Sequence, residues 1–136
     1  MHPRTIQGTL TFMTRILFID DDILTLDLMG KVAELLGHEA LLSSSASSAL
    51  EKAVSEKPNL ILVDLSLPDR DGIDVIQTLR SLPATAETPV FLLSAGIASK
   101  TAEAAKQAGA AGCLEKPISL DMLNRVIKNF VKNQTP

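Results

Sequence analysis

Five short apolar runs punctuate the chain, and stretches of helical spacing fill the gaps between them. The third run, Leu60-Ile61-Leu62-Val63, shows no alternation and stops at a carboxylate, Asp64. Such a run, bounded by turn residues, suits a strand buried on both faces of a parallel sheet. Pro68 and Asp71-Gly72 then mark a loop before the next helix. Upstream, Arg15 to Ile19 reads as the first strand and runs into Asp20, Asp21 and Asp22. A helix follows from Ile23 to Leu36, with Leu24, Leu28, Val32, Leu35 and Leu36 at helical spacing. Asp22 is placed to cap that helix and Gly37 to end it.

The remaining elements repeat this alternation. His38 to Leu42 is a weaker second strand. Ser45 to Glu56 is a helix with Ala46, Ala49, Leu50, Ala53 and Val54 inside, closed by Pro58. Gly72 to Leu82 is predicted to bury Ile73, Ile76 and Leu79. Val90 to Leu93 forms the fourth strand and ends at Ser94-Ala95-Gly96. A helix over Lys100 to Ala108 stops at Gly109, and a short fifth strand, Ala111 to Leu114, leads into Glu115-Lys116-Pro117. The last helix, Ser119 to about Lys132, sets Leu123, Val126, Ile127, Phe130 and Val131 on one face. Asp121 and Arg125 are spaced to pair on the other.

Five strands alternating with five helices predict an α/β doubly wound parallel sheet with helices on both faces. Residues 14–133 form the expected domain. Residues 1–13 lack an apolar face and are expected to be a flexible N-terminal extension, with Met13 a natural start. At 136 residues, 46% apolar and 21% charged, the chain is long enough for one real core. A net charge of -3 without a basic stripe argues against direct nucleic-acid binding. The apolar runs are too short for a membrane helix, and no secretory signal pattern is present. Cys113, the single cysteine, cannot pair internally and fits a cytoplasmic setting. No output domain is expected within these residues.

In a parallel sheet every strand ends on the same edge, where such folds place their ligands. The residues just past strands one, three, four and five are Asp20 with its neighbours, Asp64, Ser94 and Lys116. Carboxylates about 5 Å apart at an effective dielectric of about 20 repel by roughly 3 kcal/mol per pair. Their proton affinities must rise, or a cation must bind. Clustered hard oxygens suit Mg2+, which also bridges to phosphoryl oxygens. An aspartate can attack phosphorus to give an acyl phosphate, and such transfer needs mainly positioning and charge neutralisation. The pattern points to phosphoryl transfer onto Asp64.

The ordered set Ile-Asp-Asp-Asp at 19–22, Val-Asp-Leu-Ser-Leu-Pro-Asp-Arg-Asp-Gly at 63–72, Leu-Ser-Ala-Gly at 93–96 and Glu-Lys-Pro at 115–117 resembles a response-regulator receiver domain. That is the phospho-accepting domain of two-component signalling. The resemblance covers about residues 14–132. It implies a flavodoxin-like strand order 2-1-3-4-5, which the chemotaxis member of the family exemplifies. It also implies that Asp64 takes its phosphoryl group from a histidine kinase or a histidine phosphotransfer protein. Asp20 and Asp21 resemble the pair that organises Mg2+, with Asp21 the more direct ligand; Asp64 and the Ser66 carbonyl complete the set. Ser94 matches the hydroxyl that moves to the phosphoryl group, and Lys116 the lysine that pairs with it. The Lys116-Pro117 bond is often cis in the family, while Asp22, Asp69 and Asp71 are expected as caps and loop residues.

As the resemblance has it, such a domain is no enzyme beyond its own phosphorylation and dephosphorylation. It signals to a downstream protein or output domain, with a homodimer through helix four, strand five and helix five as a further expectation. One departure stands out: Cys113 lies where the family usually carries Tyr or Phe. That keeps an alternative open, a degenerate receiver acting as a phosphorylation-independent binding module. A haloacid-dehalogenase-type phosphatase needs a second acid two residues after the nucleophile, where this chain has Ser66.

Overall fold

The computed structural model describes residues 3–6 and 9–131, with side chains described from residue 13 onward. The elements are β1 (Pro3–Ile6), β2 (Thr9–Phe12), β3 (Arg15–Ile19), α1 (Ile23–Leu35), β4 (Glu39–Ser43), α2 (Ala46–Glu56), β5 (Leu60–Asp64), α3 (Gly72–Ser81), β6 (Val90–Ser94), α4 (Ser99–Ala108), β7 (Gly112–Glu115) and α5 (Leu120–Phe130). Lys132 and the expected domain limit at 133 lie outside the described residues.

β3 to β7 form one parallel sheet in the order β4-β3-β5-β6-β7, which is 2-1-3-4-5 counted within that sheet. β5 is central, and all of it is buried. Its alternate residues serve two cores, as the period of a strand requires. Leu60 and Leu62 join Ile16, Phe18, Phe91 and Leu93 on the side of α1 and α5. Ile61 and Val63 join Leu17, Ile19, Val90 and Leu92 on the side of α2, α3 and α4. Burying each such side chain contributes roughly 1.5–3 kcal/mol, so the unbroken run of β5 anchors both layers.

α3 buries Ile76 and Leu79 as expected, whereas α1, α2 and α5 differ in part from the expected face. In α1 the buried residues are Leu26, Met29, Gly30, Val32 and Ala33, whereas Leu24 and Leu35 are 79% and 76% exposed. The helix carries two apolar stripes, and the one with small residues meets the sheet: a Cβ on Gly30 would sit 3.6 Å from Leu42 Cδ2. In α2, Val54 is exposed while Ala46, Ala49 and Ala53 are buried. α2 ends on Lys57 in the left-handed region, one residue before Pro58. Leu123 and Val126 anchor α5, but Phe130 is half-exposed, its ring edge-on to Phe91 at 4.8 Å. Asp121 and Arg125 form no ion pair among the described residues.

Within 1–13, β1 and β2 pair antiparallel as a separate two-stranded sheet, Pro3 opposite Phe12 and Ile6 opposite Thr9. The expectation of an extension over 1–13 named no hairpin there. Thr5, Ile6, Thr9 and Thr11 are β-branched and favour extended backbone, a preference that a search for an apolar face passes over. Residues 1, 2, 7 and 8 lie outside the described set.

Candidate functional site

Four strand ends meet at one edge of the sheet. Asp20 follows β3 and is 1% exposed, Asp64 closes β5 at 7%, and Ser94 closes β6 at 9%. Lys116 follows β7. Its Nζ donates to Asp20 Oδ2 at 2.8 Å and lies 3.2 Å from Asp64 Oδ1. Asp21 is exposed, and it brings a carboxylate oxygen into a group with Asp20 and Asp64 whose members all lie within 4.8 Å. That spacing matches the roughly 5 Å used above for the repulsion among carboxylates.

The electrostatics follow from burial and neighbours. Burial, then the charge of Asp20, pushes the Asp64 carboxyl above its ordinary value against the pull of Lys116. Burial works against the Lys116 ammonium. Its hydrogen bond to Asp20 and the charges of Asp64 and Asp20 outweigh that and hold it above the usual lysine value. One lysine thus shares two buried carboxylates with an exposed third beside them, so negative charge is in excess. Three hard oxygens at this spacing, open to solvent at Asp21, fit a divalent cation of the Mg2+ type.

The surrounding loops fix these groups locally. Asp20 Oδ1 accepts the Asp22 N–H at 2.9 Å. Asp22 caps α1 by accepting from Leu24 N–H and the Thr25 hydroxyl, as expected. Asp71 caps α3 through the Asp74 N–H at 2.9 Å. Gly72 packs so closely under β5 that a Cβ there would lie 2.4 Å from the Asp64 carbonyl oxygen. Ser66 is exposed and forms an isolated bridge with Asp71. The Ser94 hydroxyl donates to the Gly96 carbonyl at 2.7 Å. The Lys116-Pro117 bond is cis.

Two residues have larger parts than the sequence suggested. Gly72 reads in sequence only as a turn residue, yet its missing side chain is what lets α3 start against Asp64. Asp69 reaches across to α2, where Oδ1 and Oδ2 accept the Ala46 and Ser47 N–H groups at 2.9 and 3.1 Å. No local pattern announces that contact, because donor and acceptor are more than twenty residues apart. Cys113 is half-buried against the core on the side of α2, α3 and α4, and burial pushes its thiol up.

Comparisons with known proteins agree with the fold. A family model described as the response regulator receiver domain matches residues 16–128. The chain is 28% identical over 116 residues to the polar-differentiation response regulator DivK of Brucella ovis, covering 85% of this chain and 94% of DivK. It is 29% identical over 126 residues to the regulatory protein AtoC of Escherichia coli, covering 93% of this chain but spanning only 27% of AtoC. A solved CheY-like receiver domain protein from Methanospirillum hungatei superposes with a TM-score of 0.78 at 27% identity, over 86% of this chain and 92% of that one. Among the described residues no helix is long and apolar enough to cross a membrane. The chain belongs to the response regulator receiver domain family of two-component signalling.

Proposed function

We propose that this chain is a phospho-accepting receiver in which Asp64 takes a phosphoryl group from a histidine kinase or phosphotransfer protein in the cytoplasm. The observation that carries the reading is the Lys116 ammonium shared between Asp20 and Asp64, with Asp21 beside them. An Asp64 carboxylate oxygen attacks phosphorus, the donor's P–N bond to histidine breaks, and an acyl phosphate forms while the imidazole leaves. Lys116, already 3.2 Å from Asp64 Oδ1, is within reach of a new phosphoryl oxygen. Ser94 gives up its bond to Gly96 and donates to the phosphoryl group, and that exchange starts the change passed to a downstream partner. Asp20, Asp21, Asp64 and the Ser66 carbonyl would hold Mg2+, which supplies charge neutralisation on the phosphoryl oxygens.

Acetyl phosphate with Mg2+, followed by weighing the intact protein, tests this directly. A gain of one phosphoryl group is expected. An unchanged mass would favour a phosphorylation-independent binding module, and steady phosphate release from added esters would favour a phosphatase.

A further inference from the structure

The loop between Asp64 and α3 carries Ser66, and it is tied down at several points. Its stem is held by Leu65 N–H to the Leu93 carbonyl at 3.0 Å and Gly72 N–H to the Leu65 carbonyl at 2.7 Å. Leu65 and Leu67 pack partly against the core on the inner side. On the outer side the tip is held by Asp69, whose two oxygens grip the first two N–H groups of α2.

We infer that Asp69 is a positioning residue for the metal-binding side of the site, holding the loop so that the Ser66 carbonyl faces Asp20, Asp21 and Asp64. The inference rests on the receiver reading above and goes beyond it, because it assigns a task to a side chain outside the acid, hydroxyl and lysine set.

Three observations support it. First, α2 already has its own cap, since the Ser45 hydroxyl accepts the Ser48 N–H at 3.3 Å. The two N–H groups that Asp69 takes, one of them on the buried Ala46, are additional to that cap. Second, the grip uses both carboxylate oxygens, which fixes the direction of the side chain as well as its distance. The Ala46 and Ser47 N–H groups hold the Asp69 carboxyl below its ordinary value, so the anion is the form that is bound. Third, Asp69 lies three residues beyond Ser66 in an exposed segment. Without the tie, the loop tip keeps the Ser66–Asp71 bridge at its base, the packing of Leu67 and the Arg70 side chain, which lies along α3 toward Asp74 and Thr78.

The test is Mg2+ binding by titration calorimetry on the full chain, alongside metal-free melting temperatures. Asp69→Ala should weaken Mg2+ binding at least about threefold, toward the roughly 10-fold cost of losing an outer partner at a metal site. Asp69→Asn keeps one oxygen acceptor and should fall between that variant and wild type, which guards against an Asp69→Ala that folds poorly. Ser45→Ala removes the helix's own cap; it should lower the melting temperature comparably and leave Mg2+ affinity unchanged. Equal affinity in wild type and both Asp69 variants would overturn the positioning role while leaving the receiver reading intact. So would Asp69→Ala and Ser45→Ala weakening binding equally, which would make Asp69 a cap only. A wild type that takes up no Mg2+ would overturn the metal assignment, and this inference with it.

Discussion

Two sets of three aspartates occupy the same edge of the sheet, and they live in opposite surroundings. Asp20, Asp21 and Asp64 face one another, and one lysine answers two of them. Asp22, Asp69 and Asp71 each face backbone N–H groups at the start of a helix. The Asp64 carboxyl is pushed up by burial and by Asp20, whereas the Asp69 carboxyl is pulled down by the Ala46 and Ser47 N–H groups. In the first set, burial and the charge of Asp20 make the Asp64 charge costly, Lys116 offsets part of that cost, and a cation would relieve the rest. The second contributes stability with no ligand at all. What separates a chemical aspartate from a structural one here is its partner, since residue type and place on the edge are shared.

The largest effect that could break this contrast is metal-linked. At 100 times its dissociation constant, Mg2+ should stabilise wild type by about 2.7 kcal/mol. Asp21→Ala should lose most of that gain, read as the Mg2+-induced rise in melting temperature, because it removes the exposed carboxylate of the cluster. A full Mg2+ response in Asp21→Ala would mean that the facing set is not the metal site.

Asp71→Ala sets the other side of the comparison. It removes a helix cap and should cost about 1 kcal/mol of stability. That loss should appear equally with and without Mg2+. A loss that vanishes on adding metal would place Asp71 in the wrong set.

The smallest effects should be opposite in sign along the pH axis. Asp64 is raised in the fold, so its protonated form is favoured and its charge destabilises as pH rises through the folded value. Metal-free Asp64→Asn should therefore melt above wild type at neutral pH, with the gap closing below the ordinary aspartate value of 3.8. Asp69 is lowered, so its contribution is present above the ordinary value and lost as pH falls through the folded one. Asp69→Asn should melt below wild type at neutral pH, and that gap should close in stronger acid. Matching signs in the two melting series would dissolve the distinction.

Much of this was legible in the sequence, for identifiable reasons. Arg15–Ile19, Leu60–Asp64 and Val90–Ser94 are continuous apolar runs ending at polar residues, and a parallel sheet turns that pattern into a shared edge. Once the strands are placed, Asp20, Asp64, Ser94 and Lys116 meet without further information. The buried face of α1 was only partly legible: Val32 is buried as expected, but leucines at helical spacing form one apolar stripe and Leu26, Met29 and Ala33 form another. Only the sheet beneath decides between them, and it takes the stripe with Gly30. The Asp69 tie was hidden for a different reason: backbone N–H groups carry no sequence signature, so a carboxylate that binds them across space looks like any loop acid. The pairing expected of Asp121 and Arg125 failed as exposed pairs often do, since correct spacing brings little energy.

The most direct measurement is where the phosphoryl group lands. Borohydride reduces an aspartyl phosphate to the alcohol, so acetyl phosphate and Mg2+ followed by borohydride and peptide mass analysis should convert Asp64 to homoserine. No other aspartate should change, and Asp64→Asn should show no conversion anywhere. Conversion at Asp20 or Asp21, or undiminished phosphorylation of Asp64→Asn, would contradict the assignment of Asp64 as the acceptor.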